Sequence, residues 1–416
     1  MKILYNIFVF LYLISAKIFA IFNPKARLWI AGRQNIFQKI KNSEIAHNSI
    51  IWIHCASLGE FEQGRPIIEK LKATYPNHSI LLTFFSPSGF EVRKDYEFAD
   101  YVYYLPLDTK KNARQFISLV RPKLVVFIKY EFWFNYINEL YKQKIPLIFA
   151  SVIFRPSQLF FKPWGSWFAR QLNKITYIFV QNQVSIELLD SIDIHHADIS
   201  GDTRFDRVIQ LPEDPLEFPI IEKFKGKTKL LMAGSTWLPG EKILLTILEK
   251  SAVDFKLVIA PHLINKEHIE EIRTRFNSYN PVLYSDGLSE KLILSKVLII
   301  DSIGMLSLLY QYADIAYIGG GFGVGIHNLL EVSTYGIPVI FGPNYQRFRE
   351  AIDLRDNGGG FPIENAEECL TIFNQLMTDA NLYQKSASVA KEYVYENAGA
   401  TKLIINKVKE YIVAGQ

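Results

Sequence analysis

"SIIWIHCASLGEFEQGRPIIEKLKATY", residues 49–75, opens as a continuous apolar run and closes with apolar residues at helical spacing. A β-rich run broken at Ser57 and Gly59 and followed by an amphipathic stretch reads as a strand handing over to a helix. The same hand-over recurs along the chain. Apolar runs at 79–86, 101–107, 123–130, 146–153 and 177–182 alternate with helical stretches such as "FNYINELYKQK". Strands separated by helices predict a parallel sheet covered on both faces. A second series follows at 229–235, 255–261, 297–301, 314–321 and 338–343. The expected fold class is therefore α/β, with two doubly wound domains.

A chain of 416 residues exceeds what one compact core holds. The polar, proline-bearing stretch "QLPEDPLEFPIIEKFKGKTK", 210–229, shows no periodicity of its own and is the expected join. The expected domains are 27–211 and 212–416, with the last helix packing back on the first. The net charge of +4 is small and forms no long basic block, which argues against nucleic acid as the main partner. Cys55 and Cys369 lie far apart and are expected as separate packing thiols rather than a disulfide.

Residues 1–26 are expected to form a membrane anchor. "ILYNIFVFLYLISAKIFAIF", 3–22, is apolar apart from Asn6, Ser15 and Lys17 and is long enough to cross a bilayer. Lys17 inside it leaves an interfacial helix as an equal possibility. Lys25, Arg27, Arg33, Lys39 and Lys41 follow the segment while only Lys2 precedes it. That bias places the body on the cytoplasmic side.

In doubly wound sheets, ligands bind beyond the carboxyl ends of the strands, so chemistry is sought in the strand-to-helix loops. "GGGFGVGIHN", 319–328, contains no G-x-G-x-x-G register, and "GKT" at 226–228 lacks the earlier glycine of a P-loop. No D-x-D or H-E-x-x-H occurs, and "DIHHAD", 193–198, reads as a polar connection rather than a metal site. "IGGGFGVGIHNLLE" joins a strand end to a helix through glycines, an arrangement that brings backbone N–H groups toward phosphate; a tight turn that needs glycine is the alternative. Asn328 and Glu331, three apart, share a helical face suited to ribose hydroxyls. Ser235 and Thr236 are expected to cap a helix beginning near Gly240, and Ser302 one that follows it. Glu60 at a helix start has the dipole to lower the cost of its charge, and partial burial would poise it as a base. On the residues alone, plain charge complementarity at a helix start is the simpler account of it. Glu131 ends an apolar strand and requires a partner. "GDTRFDR", 201–207, supplies Arg204 and Arg207 among acids, as a functional cluster or a solvated one.

In this order, "ASLGE", "SPSG", "YEFW", "GDTRFD", "AGST", "IGGGF", "HNLLE" and "GIPVIFGP", behind an apolar N-terminus, resemble the 3-deoxy-D-manno-octulosonic acid (Kdo) transferases of Gram-negative bacteria. The resemblance covers nearly the whole chain. It implies a GT-B fold, two Rossmann-like lobes with a cleft between them, working at the cytoplasmic face of the inner membrane in lipopolysaccharide synthesis. It implies CMP-Kdo as donor, a lipid A precursor as acceptor, inversion at the anomeric carbon, and no metal. By position, Glu60 resembles the family's catalytic base, and Glu131 and Arg204 its transition-state stabilisers. Pro261, His262, Ile303, Gly304, Met305, Asn328, Leu329, Leu330 and Glu331 match its CMP-binding positions. Ser57, Gly59, Ser86, Ser88, Gly89, Ser235, Thr236, Gly320 and Gly321, in the matching loops, are further expected substrate contacts. Three positions depart from the family pattern: His262 replaces a common arginine, Gly304-Met305 a common Gly-Glu, and "HNLLE" the commoner "HNPLE". A glycosyltransferase or epimerase using a UDP-sugar, and a non-catalytic membrane-tethered nucleotide- or lipid-binding protein, share the lobe pattern and stay open on the residues alone. The aromatics Phe160, Phe161, Trp164 and Trp167 are expected either to touch acceptor acyl chains or to pack as a core.

Overall fold

The structure is a computed structural model that describes residues 1–213 and 215–413. Its contacts divide into two units, 1–207 with 398–416 and 208–397. The chain thus crosses after Arg207, a few residues before the expected 211/212 boundary, and crosses back after Asn397. Within 210–229, Pro219–Lys225 forms a helix that buries Ile221 and Phe224. Seven residues with two buried positions are too few to show a period in sequence.

Unit 1 is a seven-stranded sheet, all parallel: β1 (Ile50–Cys55), β2 (Ser79–Phe84), β3 (Tyr101–Tyr104), β4 (Leu124–Ile128), β5 (Leu147–Val152), β6 (Tyr177–Val180) and β7 (Ala197–Ile199). Its order is β3-β2-β1-β4-β5-β6-β7. Unit 2 repeats the plan with β8 (Lys229–Thr236), β9 (Phe255–Pro261), β10 (Val282–Leu283), β11 (Val297–Ile299), β12 (Ile315–Ile318), β13 (Val339–Phe341) and β14 (Gly360–Pro362), in the order β10-β11-β9-β8-β12-β13-β14. The central strands β1 and β4 are buried along their whole length, as their unbroken apolar runs require. The strands without a sequence signal are β7, β10 and β14, edge strands of three, two and three residues. β7 begins inside "DIHHAD", so that stretch is a turn entering an edge strand.

Cys55 and Cys369 are both free and buried, one in each unit. The final helix, residues 400–413, belongs to unit 1, where Asp206 accepts from the backbone N–H of Gly399 and Thr401 and from the Thr401 hydroxyl. Asp206 therefore caps a helix almost two hundred positions away in sequence.

The N-terminal helix runs Lys2–Phe19 and breaks before a second helix, Pro24–Ala31, which Asn23 caps by accepting from Ala26 N–H at 3.1 Å. The anchor expected to reach residue 26 is thus interrupted at 20–23. The first helix is long and apolar enough to cross a membrane. One stripe of it, Tyr5, Val9, Leu13 and Ala16, packs in a cluster with Trp29, Leu107 and Phe85. Tyr5 donates its hydroxyl to Asp108, and Asn135 Nδ2 donates to Asn6 Oδ1 at 3.0 Å. Asp108, itself buried, also accepts the backbone N–H groups of Asn135 and Tyr136, both at 3.0 Å, capping the helix Phe134–Lys142. Burial pushes its carboxyl up to about 6.

Arg33, counted in sequence among the basic residues flanking the anchor, is a structural cation. Its guanidinium donates to the carbonyls of Leu105 (2.9 Å), Trp29 (2.9 Å) and Phe85 (2.7 Å). It lies over the rings of Trp29, Phe85 and Tyr104 at 4.0, 4.8 and 4.9 Å. Burial pulls its pKa down to about 9, so it stays charged at neutral pH. It pins the loops that follow β2 and β3. Of the four aromatics in 160–167, Phe160 is core, Phe161 and Trp167 are partly buried, and Trp164 alone is exposed, at 67%. The packed reading thus holds for all but Trp164.

Arg33→Ala leaves three carbonyls without a donor and should cost roughly 3 kcal/mol. Arg33→Lys should recover less than half of this, because an ammonium cannot reproduce the planar fork. Thermal unfolding of the two variants beside the parent measures it, and a lysine variant as stable as the parent would contradict the assignment.

Candidate functional site

In unit 1 the winding reverses between β1 and β4. Neighbouring strands whose crossovers go to opposite faces leave a crevice at their carboxyl ends. The two loops there carry Glu60, after β1, and Glu131, after β4. Glu60 lies in the first turn of the helix Leu58–Thr74, whose N-cap is Ser57. Ser57-x-x-Glu60 has capping-box spacing. The Ser57 hydroxyl nevertheless makes no cap to the helix and donates to Glu60 Oε2 instead. Gly59 sits inside the first turn rather than in a preceding bend, and a Cβ there would meet only Ser57 Oγ at 3.8 Å.

Glu131 lies against His54, a fully buried side chain of β1. Glu131 Oε2 lies 3.4 Å from His54 Nε2, and Trp133 Nε1 donates to that same nitrogen at 3.1 Å. An indole N–H can only donate, so the ring proton belongs on Nδ1, which reaches Thr83 O at 3.1 Å and Thr83 Oγ1 at 2.9 Å. His54 and Trp133 escape a sequence reading as site residues. The available signal was a histidine in an otherwise apolar strand just before a switch loop.

Arg204 is held from behind: its Nε donates to Asp202 Oδ2 at 2.8 Å and its backbone N–H to Asp202 Oδ1 at 2.9 Å. Asp202 also accepts from Gln63 Nε2 at 3.1 Å, and Thr203 Oγ1 donates to Gln63 O at 2.6 Å. Gln63 is three residues past Glu60, so Arg204 is tied to the helix that carries Glu60. Asp202 and Asp206 are 5% and 8% exposed, which removes the solvated-cluster reading of "GDTRFDR". Electrostatics reports the same gathering. Burial raises the Tyr130 phenol, and Arg155, Asp202, Glu60 and Arg204 all bear on it. Burial holds the Cys55 thiol well above its ordinary value, with Glu60 and Glu131 adding to the effect. Ser86 caps Pro87–Arg93 through Ser88 N–H at 3.3 Å, and Gly89 lets that helix approach Ser57, where a Cβ would lie 3.1 Å from the Ser57 carbonyl carbon.

In unit 2 the reversal falls between β8 and β12. Ser235, at φ 52°, and Thr236 end β8. The helix that follows begins at Leu238, earlier than expected, with Trp237 at its N-cap. Thr236 does not cap it, and its hydroxyl donates to the buried Glu241 at 3.2 Å. Glu241 also meets His268 Nε2 at 3.0 Å and Arg275 Nη1 at 2.6 Å. The glycines after β12 do not lead straight into a helix: the next one, Leu330–Ser333, is a single turn. Gly323 and Gly325 donate their N–H groups to Gly320 O, and Gly319 donates to Gly234 O. A Cβ on Gly319 would lie 2.1 Å from Ser235 O, and one on Gly321 2.7 Å from Gly342. Close backbone packing is what these glycines serve, with Gly320, at φ 90°, making the turn.

Around this loop the structure gathers side chains from three segments. His262, exposed at the end of β9 after Pro261, stacks at 4.6 Å centroid distance on Trp237 and at 4.6 Å on His327. Trp237 Nε1 approaches His327 Nε2 at 3.4 Å. Asn328 Nδ2 donates to Glu331 Oε1 at 3.0 Å, while Asn328 Oδ1 accepts Leu330 N–H at 3.1 Å. Leu329 and Leu330 between them are fully buried, so their side chains belong to the core. Ile303 is 89% exposed and Gly304 takes φ 96°. Ser302 caps nothing: the short helix starts at Leu306 with Met305 before it. Among the described residues, no three His, Cys, Asp or Glu side chains gather as metal ligands do.

Residues 30–207 match the family model for 3-deoxy-D-manno-octulosonic-acid transferase (kdotransferase). Over that stretch the chain is similar to the Kdo transferases. It is 29% identical to the Aquifex aeolicus 3-deoxy-D-manno-octulosonic acid transferase over 79% of this chain and 86% of that protein. It is 26% identical to the Haemophilus influenzae enzyme of the same name over 98% and 95% of the two chains. A solved UDP-GlcNAc 2-epimerase from Neisseria meningitidis shares the fold, with a TM-score of 0.61 at 18% identity over 87% of this chain and all of that one. The protein is a glycosyltransferase of the GT-B fold.

In this chain, His262 and His327 face each other as stacked rings. Burial, and then His262, lowers the His327 pKa from 6.5. A histidine lowered on folding contributes stability above its ordinary value, and that contribution is lost as pH falls through the lowered value. His262→Gln removes the neighbouring charge. Proton NMR of the imidazole Cε1 signals should therefore show His327 titrating at higher pH in the variant than in the parent, and an unchanged midpoint would refute the coupling.

Proposed function

We propose that the enzyme transfers Kdo from CMP-Kdo to a lipid A precursor with inversion at the anomeric carbon. In this reading Glu60 is the base. It takes the proton of an acceptor hydroxyl as that oxygen bonds to the anomeric carbon, while the bond to the CMP phosphate breaks and the electron pair leaves with CMP. Glu131 and Arg204 stabilise the transition state. A guanidinium already oriented by Asp202 through its Nε suits a donor carrying both a carboxylate and a departing phosphate. Unit 2 holds the nucleotide through Pro261, His262, the 303–305 turn, and the Asn328–Glu331 pair at the ribose. The observation that carries the reading is that Glu60 and Glu131 follow the two strands at the reversal of unit 1, in a chain similar to this family.

The acceptor and the N-terminal helix fit together. An apolar helix docked by one stripe and exposed along the other suits a bilayer surface, and the basic residues after it favour the cytoplasmic face of the inner membrane. A UDP-sugar enzyme is the competing reading. Incubation with CMP-Kdo and, separately, with UDP-hexoses distinguishes them by which nucleotide is released.

Glu60→Gln should keep the fold and CMP binding and lower transfer by at least about 100-fold, the lower range for loss of a general base; near-normal turnover would end the mechanism. The transfer is also proposed to need no metal. Enzyme dialysed against EDTA should retain its rate, and a loss restored by added Mg²⁺ would overturn that part.

A further inference from the structure

Between the N-terminal helix and the loop that carries Glu131, unit 1 encloses a cavity of about 280 Å³. Phe8, Val9 and Tyr12 form the helix wall, and Phe85, Leu107 and Trp133 the body wall. Glu131 is the one carboxylate that lines it. The walls are held in place rather than merely adjacent: Tyr5 donates to Asp108, Asn135 donates to Asn6, and the Phe85 and Trp133 rings pack at 4.6 Å. A cavity walled chiefly by apolar surface offers water few partners and favours an apolar ligand.

We propose that this cavity receives one acyl chain of the lipid acceptor. Phe8 decides what can enter. It lines the cavity and is also 65% exposed, within an outward face that continues through Leu4, Ile7 and Leu11. The cavity is therefore continuous with an apolar surface that water disfavours and hydrocarbon covers. Its volume admits a single flexible chain and no folded segment of a protein partner. Its inner wall ends at Glu131, so an inserted chain places the headgroup of its own lipid beside a carboxylate proposed above to act in transfer. That choice of the acceptor over bulk lipid rests on the proposed function. Seating the chain would position the sugar, adding binding energy remote from the reacting atoms.

Photolabelling of the full chain tests it. The protein is reconstituted in vesicles of phosphatidylethanolamine and phosphatidylglycerol with either of two probes. One is an acylated glucosamine disaccharide phosphate carrying a diazirine on an acyl chain, the other a phospholipid with the same group. After irradiation, labelled residues are mapped by mass spectrometry. The acceptor probe should label Val9, Tyr12, Phe85 and Trp133, and the phospholipid chiefly Leu4 and Leu11. Val9→Trp, which fills the cavity from the helix side, should lower inner-wall labelling by about ten-fold, some 1.4 kcal/mol of binding, and leave the outward face labelled. Leu107→Phe, filling from the opposite wall, guards against a variant that merely undocks the helix, since undocking would also change labelling of the outward face. Labelling confined to the outward face, or absent, overturns the proposal. Equal inner labelling by both probes overturns the assignment to the acceptor. The readout needs no turnover, so a wild-type enzyme that labels as expected but releases no CMP from CMP-Kdo would count against the reaction and not against the cavity.

Discussion

Parallel strands cannot be joined by tight turns; each needs a crossover, and each crossover must cover one face of the sheet. A sheet covered on both faces must therefore reverse its winding once, and at that point two adjacent loops diverge. In unit 1 the reversal separates β1 from β4, and in unit 2 β8 from β12. Glu60 and Glu131 follow the first pair; Ser235 and Thr236 end β8, and the glycine loop follows β12. The remaining site residues acquire meaning from these two gaps. His262 ends β9 beside β8, and Asn328 and Glu331 lie past the glycines that let the loop approach the Ser235 backbone.

Charge is used in two ways around these gaps. Arg33, Asp108, Asp202, Asp206 and Glu241 are buried or mostly buried groups whose donors and acceptors are answered by named neighbours, and each fastens one segment to another. Such groups are costly unless satisfied, so their networks specify one arrangement of loops. Glu60, Arg204 and His262 are held by neighbours and still keep some exposure. That distinction separates framework from candidate chemistry better than residue type does: Asp202 and Arg204 are two residues apart, and one holds the other.

The N-terminal helix is fastened by the same logic. Its docked stripe is tied by two polar contacts, Tyr5 to Asp108 and Asn135 to Asn6, while its outer face has no protein partner among the described residues. Asp108 caps the helix Phe134–Lys142 that begins just after Glu131, so the N-terminal helix and the Glu131 loop share a fastening.

The sequence by itself determined the alternation of strands and helices, because buried parallel strands must be continuous apolar runs and their crossovers amphipathic. It also determined that Glu60, Glu131, Arg204 and His262 lie where strands hand over to helices, since ordered motifs are linear information. Three edge strands were invisible to it, being two or three residues long and half exposed, with no pattern to read. Nor did it show that Thr236 bonds Glu241 rather than a helix end, that Ser57 turns to Glu60, or that Arg33 is caged by carbonyls and rings. Those choices depend on which groups distant in sequence arrive within hydrogen-bonding range. His54, Thr83, Glu131 and Trp133 come from two strands and a loop, and only tertiary packing decides that one imidazole meets the other three.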